Sequence, residues 1–218
     1  MRTISRKKSE YQSANLSKYQ SRNPLKRLLT FRMSKAMDSL LQTQTGKFGA
    51  PLNILDAGCG EGVITRRLAG LFPDAQIIGM DLSAEAVAYA AGLSEENIVY
   101  CTGSVYACPF AKRQFNITVC SEVLEHLDEP ERAVHELERV TENCLLISVP
   151  WEPWFRLGNL LSGKNITRLG NPEDHIQHWT GNGFKAWIRA QFPRQSVVFT
   201  HSFPWSFAVI DMSHKDGE

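Results

Sequence analysis

The sequence has no Cys-x-x-Cys pair, and its five cysteines (Cys59, Cys101, Cys108, Cys120 and Cys144) are an odd number. A disulfide framework and a thiolate zinc site are therefore not expected, and a reducing, cytoplasmic setting is. No apolar run approaches the roughly 18 residues of a membrane-spanning helix. The charged start Met-Arg-Thr-Ile-Ser-Arg-Lys-Lys is followed by no apolar segment, so no secretory leader is expected. Net charge is also small, +1. What the chain does have is 218 residues, 43% of them hydrophobic, with 15 glycines. That suits one domain with a sizeable core and excludes a disordered or collagen-like chain.

The small net charge conceals two unlike parts. Residues 1–48 hold 11 Lys and Arg against two acids, Glu10 and Asp38, for a net +9. The other 170 residues hold 13 against 21, for a net −8. Such a basic head can steer an anionic substrate, touch an anionic membrane surface, or pack back on its own acidic domain. Residues 1–22 are polar and expected to be poorly ordered. Asn23 can cap a helix with Pro24 at its first position. Leu25, Leu28, Leu29, Met33, Met37, Leu40 and Leu41 then recur at helical spacing. Residues 23–48 thus read as an amphipathic helix and the start of a linker, cations outward, ahead of a domain over 49–218.

Within that domain short apolar runs alternate with helical patterns, as in a parallel α/β sheet. Strands are expected at Leu52–Asp56, Gln76–Asp81, Asn97–Cys101, Phe115–Ser121, Cys144–Val149, Ser196–Thr200 and Ser206–Asp211. Helices are expected at Glu61–Leu71, after Ser83, at Pro130–Thr141 and after Thr180. Residues 150–178 show no strand pattern and read as a cover over the site, or as a short helix completing the core.

The most informative segment is Asp56-Ala57-Gly58-Cys59-Gly60-Glu61-Gly62, which follows an apolar strand and opens a helix. Its glycines let backbone approach a ligand closely. An acid two residues before the first glycine opposes a pyrophosphate but can hold an ammonium, directly or through water. Asp81, 23 residues after Gly58, can accept hydrogen bonds from two ribose hydroxyls.

These residues resemble the class I S-adenosylmethionine-dependent methyltransferases. Asp56 to Gly62 is similar to that family's glycine-rich motif, Asp81-Leu82-Ser83 to its ribose-binding acid and following cap, and Gly103-Ser104-Val105 … Cys108-Pro109-Phe110 to its adenine loop. Ser104 stands where that loop usually has Asp. The resemblance implies a Rossmann-like fold, a mostly parallel seven-stranded sheet with helices on both faces, here with an N-terminal helical extension. It also implies S-adenosylmethionine as cofactor. Asp56, Gly58, Cys59 and Gly60 would line its methionine end, Asp81 would hold the ribose, Leu82 would lie against the adenine, Ser104 and Val105 would flank the adenine edge, and Ser121 would lie beneath the sulfonium.

Glu122-Val-Leu-Glu125-His126 follows the fourth strand. A helical turn would put Glu122 and Glu125 on one face beside His126. Two carboxylates and an imidazole can hold a divalent ion such as Mg or Zn, completed by His175 or His178. The pattern resembles those of ubiquinone-biosynthesis O-methyltransferases and of small-RNA 2′-O-methyltransferases. Without a metal, His126 would serve as general base or shape the pocket, with Glu125 catalytic beside it or bonded to local backbone. Trp151 could stack on a planar acceptor, with His175 and His178 beside it, or belong to the core.

The expected function is methyl transfer to a small-molecule or lipid-linked acceptor, foremost at a hydroxyl oxygen. Carbon or nitrogen transfer and a non-catalytic cofactor-binding partner are the alternatives. Nucleic acid is not expected, because no RNA-reading module is present.

Overall fold

The computed structural model describes residues 19, 21–46, 48, 51–93, 95–161 and 175–213. Most of the basic head expected over 1–22, and residues 162–174 of the expected cover, lie outside the described residues.

Helix α1 (Pro24–Thr45) begins as its sequence suggests. The Asn23 side chain accepts from the backbone N–H of Leu25 at 2.9 Å and of Lys26 at 3.3 Å, with Pro24 in the first turn. Met33, Met37 and Leu41 are buried, four residues apart on one stripe. Leu25 and Leu28 do not join them, contrary to the sequence reading, and stay 62% and 53% exposed. Leu28 precedes Met37 by nine residues, which turns it roughly 180° away on an ideal helix.

The rest alternates strand and helix: β1 (Asn53–Ala57), α2 (Val63–Leu71), β2 (Gln76–Asp81), α3 (Ala84–Ala91), β3 (Ile98–Thr102), β4 (Phe115–Ser121), α4 (Pro130–Val140), β5 (Thr141–Pro150), α5 (Trp154–Leu161), α6 (Gly181–Gln191), β6 (Val197–Ser202) and β7 (Trp205–Asp211). The seven strands form one sheet in the order β3-β2-β1-β4-β5-β7-β6. β7 runs antiparallel to both its neighbours and the other pairings are parallel. The expected fold class is therefore the observed one.

Strand alternation builds two cores. Leu55, Leu145 and Ile147 pack with α4 and α6 residues such as Leu137 and Phe184. Ile54, Leu146 and Val209 pack on the other face with α1 and α2 residues such as Met37 and Leu68. Chain order reverses between β1 and β4, which opens a crevice at the carboxyl ends of these strands.

Several boundaries differ from the sequence reading: β5 starts at Thr141 rather than Cys144, ending α4 at Val140, and the ends of β1, β3, β6 and β7 shift by one or two residues. α2 starts at Val63 rather than Glu61, because Gly62 takes a left-handed φ of 72° and closes the turn. Residues 154–161 of the expected cover are helical, so the short-helix reading holds for that part.

A bidentate ion pair ties α1 to the domain: Arg67 Nε and Nη2 donate to the Asp38 carboxylate at 2.7 and 2.6 Å. The Asp38 side chain is only 12% exposed. Arg67→Ala leaves that carboxylate without its fork and is expected to cost about 2 kcal/mol, read as a lower urea midpoint at unchanged slope.

Candidate active site

The crevice is shaped by backbone before any side chain enters it. The N–H groups of Gly58 and Cys59 both donate to Met80 O, at 2.7 and 3.0 Å, folding the turn after β1 against the end of β2. Gly58 has φ 80°, and a Cβ there would collide with the Val123 side chain in the loop after β4. Close approach of these two loops therefore requires glycine. Asp81 links the next two segments. Its Oδ2 accepts from Gly60 N at 2.8 Å and its Oδ1 from Ser83 N at 2.8 Å, while Ser83 caps α3 by accepting from Ala86 N. Between these loops lies a cavity of about 220 Å³ lined by Gly58, Asp81, Leu82, Ser104, Val105 and His126 among others.

Asp56 closes the floor of the turn. It is 1% exposed, and Oδ2 accepts from the Thr65 hydroxyl at 2.6 Å. Burial pushes its pKa up to about 7, against the pull of the Thr65 hydrogen bond, and the negative charge of Asp81 adds to the rise. Cys59 is buried, with burial and then Asp56 and Asp81 raising its thiol. Its sulfur packs beside Gly79, so this residue contributes backbone rather than side chain to the cleft.

The loop after β3 is clamped from α4. Glu136 accepts from Cys108 N at 2.7 Å, and Arg139 donates to the carbonyls of Phe110 and Cys108 at 2.9 and 3.0 Å. The two side chains also pair with each other at 2.8 Å. The clamp fixes the backbone that follows Ser104 and Val105. The Ser104 hydroxyl accepts from Tyr106 N at 3.2 Å.

After β4 the chain departs from the expected geometry. Residues 124–126 make a single 3₁₀ turn, which begins after Glu122. Glu122 itself is bent, with φ 57°, a left-handed conformation that is costly for a non-glycine residue and clusters at functional sites. Its carboxylate accepts from the Trp205 indole N–H. Glu122 is therefore not in the group that gathers Glu125, His126 and His175, whose ligand atoms lie within 4.8 Å of one another. The His126 and His175 rings meet edge to face at 5.0 Å. His175 is brought there because the N–H groups of Ile176 and Gln177 both donate to Glu125 O, at 2.8 and 3.0 Å. Of the expected ligand residues, Glu125, His126 and the completing His175 gather, while Glu122 and His178 are outside that group.

Other expected residues lie away from this group. His178 is exposed and outside it, its pKa lowered by partial desolvation of the ring and then by the charge of Arg156. Trp151 stacks on His201 at 4.8 Å, toward the β6–β7 turn. Ser121 is buried and its hydroxyl shares a 2.7 Å hydrogen bond with that of Ser148, its register partner on β5.

Thr65, Glu136, Arg139 and Trp205 were not legible as site residues. Neither was Tyr19, whose phenol is raised well above its usual pKa by burial, then by the charges of Glu122 and Asp56. A Trp 83 residues from its partner carries no spacing signal.

Residues 55–143 match the family described as methyltransferase domain. An uncharacterized methyltransferase of Schizosaccharomyces pombe is 37% identical over 99 residues, which cover 41% of this chain and 36% of that protein. A mitochondrial ubiquinone biosynthesis O-methyltransferase of Candida albicans is 25% identical over 178 residues, 72% of this chain and 54% of that one. The chain thus spans between about a third and just over half of the length of these relatives. Among solved structures, the magnesium protoporphyrin IX methyltransferase of Synechocystis with bound SAH superposes with TM-score 0.64 at 18% identity, over 95% of this chain and 99% of that one. Motif order and sheet order agree with these likenesses: residues 55–143 match the methyltransferase-domain family, and the sheet they belong to shares the fold of the solved methyltransferases.

Proposed function

We propose that this protein transfers the methyl group of S-adenosylmethionine to a hydroxyl of a small-molecule or lipid-like acceptor. The carrying observation is that His126 belongs to two constellations at once. It lines the cleft formed by Gly58, Asp81 and Val105, and it sits with Glu125 and His175. An acceptor held by the second group therefore lies next to whatever occupies the first.

The residues suit the cofactor in chemistry as well as shape. Asp81 retains acceptor capacity beyond its two backbone hydrogen bonds and can take ribose hydroxyls. The open face of Leu82, 76% exposed, and Val105 offer apolar contact to an adenine. Asp56, held by Thr65, supplies negative charge beneath the glycine turn for an ammonium group. The cofactor brings a methyl carbon already activated on a sulfonium. The protein's share is then alignment, exclusion of water and removal of the acceptor's proton. His126 is placed to take that proton, since it borders both sites.

Glu125, His126 and His175 also suit a divalent ion. One carboxylate and two imidazoles form a borderline donor set, closer to zinc-type than to magnesium-type coordination. Such an ion would lower the pKa of an acceptor hydroxyl.

Mass spectrometry of metabolites incubated with the protein and isotope-labelled cofactor should find one gaining a single labelled methyl on oxygen. Transfer to carbon or nitrogen alone would overturn the oxygen assignment.

Cofactor affinity should depend on pH through Asp56. Its carboxyl is raised to about 7. Below that pH it is protonated and offers no charge to an ammonium, so calorimetric affinity should fall as pH drops from about 8 to 6, with protons released on binding. Stability of the ligand-free protein should move the other way. The native state holds a proton the unfolded chain gives up above its ordinary value of 3.8, so this contribution is present at low pH and is lost as pH rises through about 7. A pH-independent affinity would detach Asp56 from the cofactor.

A further inference from the structure

The outer face of α1 is not used by the methyl-transfer reading. Leu25, Leu28 and Phe31 lie on it 62%, 53% and 57% exposed. Arg27, Arg32 and Lys35 lie exposed among them. The sequence has no acid between Glu10 and Asp38, and Asp38 is bound by Arg67 on the inner side. The patch continues onto the sheet. A groove of about 380 Å³ runs between Phe31, Arg32 and Lys35 of α1 and Thr200, His201 and Ser202 of β6. Past Ser202, the turn residue Phe203 is 44% exposed and in aromatic contact with Trp151 and with Trp154, itself 43% exposed.

This surface lies at the edge of the sheet that carries the candidate active site. β6 runs parallel to β5, because β7 is antiparallel to both, and Ser202 pairs with Trp205, which pairs with Pro150 at the carboxyl end of β5. That is the edge where β1, β2 and β4 end in the cleft.

We propose that this face docks on an anionic phospholipid bilayer, with Leu28, Phe31 and Phe203 entering the headgroup boundary and Arg32 and Lys35 holding lipid phosphate in the groove. Exposed apolar tips interleaved with cations, and no acid, are the pattern of an interfacial helix lying in the membrane plane. A polyanion without an apolar phase would leave Leu25, Leu28 and Phe31 unused. A second copy of the chain would set this basic face against itself. No described helix is long and apolar enough to cross the membrane. The proposal deepens the lipid-like acceptor reading, since an acceptor resident in the bilayer would meet the cleft from this side.

The test is co-sedimentation of the full chain with equimolar phosphatidylglycerol–phosphatidylcholine vesicles and with pure phosphatidylcholine vesicles. Binding to the anionic vesicles should weaken as salt is added. Arg32→Gln/Lys35→Gln should reduce partitioning by about 30-fold, on about a fivefold loss per cation. Leu28→Ser/Phe31→Ser should reduce it by at least about tenfold. All these residues are on the surface, so thermal melting should be unchanged. S-adenosylmethionine titration should be unchanged too, which keeps failure here distinct from failure of the methyl-transfer reading. Equal partitioning of variants and parent, or no preference for anionic vesicles, would overturn the proposal. So would inorganic phosphate binding the groove with the apolar variants indifferent, or a dimer in sedimentation velocity that the Leu28/Phe31 variant breaks.

Discussion

Replacing His126 by alanine should slow methyl transfer by about 10²- to 10⁴-fold, the range for loss of a positioned acid–base group. Cofactor affinity should stay within a few-fold. The asymmetry follows from its place: His126 borders the cleft, whereas on the proposed reading the cofactor's recognised groups would face Asp81 and the glycine turn, and among the described residues His126 is the one imidazole lining that cleft. His175→Ala separates two routes to this loss. If His126 acts alone as base, His175 contributes only its edge-to-face ring contact at 5.0 Å, and turnover should fall less than tenfold. If a divalent ion is held by Glu125, His126 and His175, both variants should collapse together, and a chelator should do to the parent what the substitutions do. Activity of His126→Ala within about tenfold of the parent would place proton removal elsewhere.

The parts of this fold that were legible in the sequence are those decided by neighbours along the chain. The cap at Asn23, the strand into Asp56, the glycine turn and the Ser83 cap each depend on fewer than ten consecutive residues, and each formed as read. The parts that were missed depend on a bend or on distant contact. Glu122 and Glu125 have helical spacing, but the turn starts at Leu124, and the left-handed bend at Glu122 sends its carboxylate to Trp205, 83 residues away. The clamp of Glu136 and Arg139 on the loop after β3 spans up to 31 residues and looks, in sequence, like an ordinary helical i,i+3 ion pair. Leu25 and Leu28 show the converse error. Apolar residues at near-helical spacing suggested one buried stripe, and only angular position about the axis reveals that they face outward. Composition did carry one such fact: within the cation-rich stretch, Arg27, Arg32 and Lys35 are exposed on α1 beside the exposed Leu25, Leu28 and Phe31.

Asp81→Ala should lower S-adenosylmethionine affinity by about 10²- to 10³-fold. The carboxylate does two jobs that are lost together. It would accept from the ribose, and it already accepts from Gly60 N and Ser83 N, the hydrogen bonds that set the glycine turn against the start of α3. Hydrogen bonds to a charged acceptor contribute about 1.5–3 kcal/mol each, so losing the ribose contact and loosening the turn reaches that range. The two contributions can be parted. Asp81→Asn keeps one carbonyl oxygen for one of the backbone donors but brings an NH₂ toward the other, so it should weaken the ligand-free protein as well as binding. Comparing both variants by calorimetry and by melting without ligand gives the split. If the turn is the larger part, affinity and melting temperature fall in step in both. If the ribose contact is the larger part, alanine removes binding while the ligand-free melting temperature moves by only a few degrees. Near-native affinity in Asp81→Ala, with the protein folded, would remove the ribose assignment and with it the orientation of the cofactor on which His126 depends.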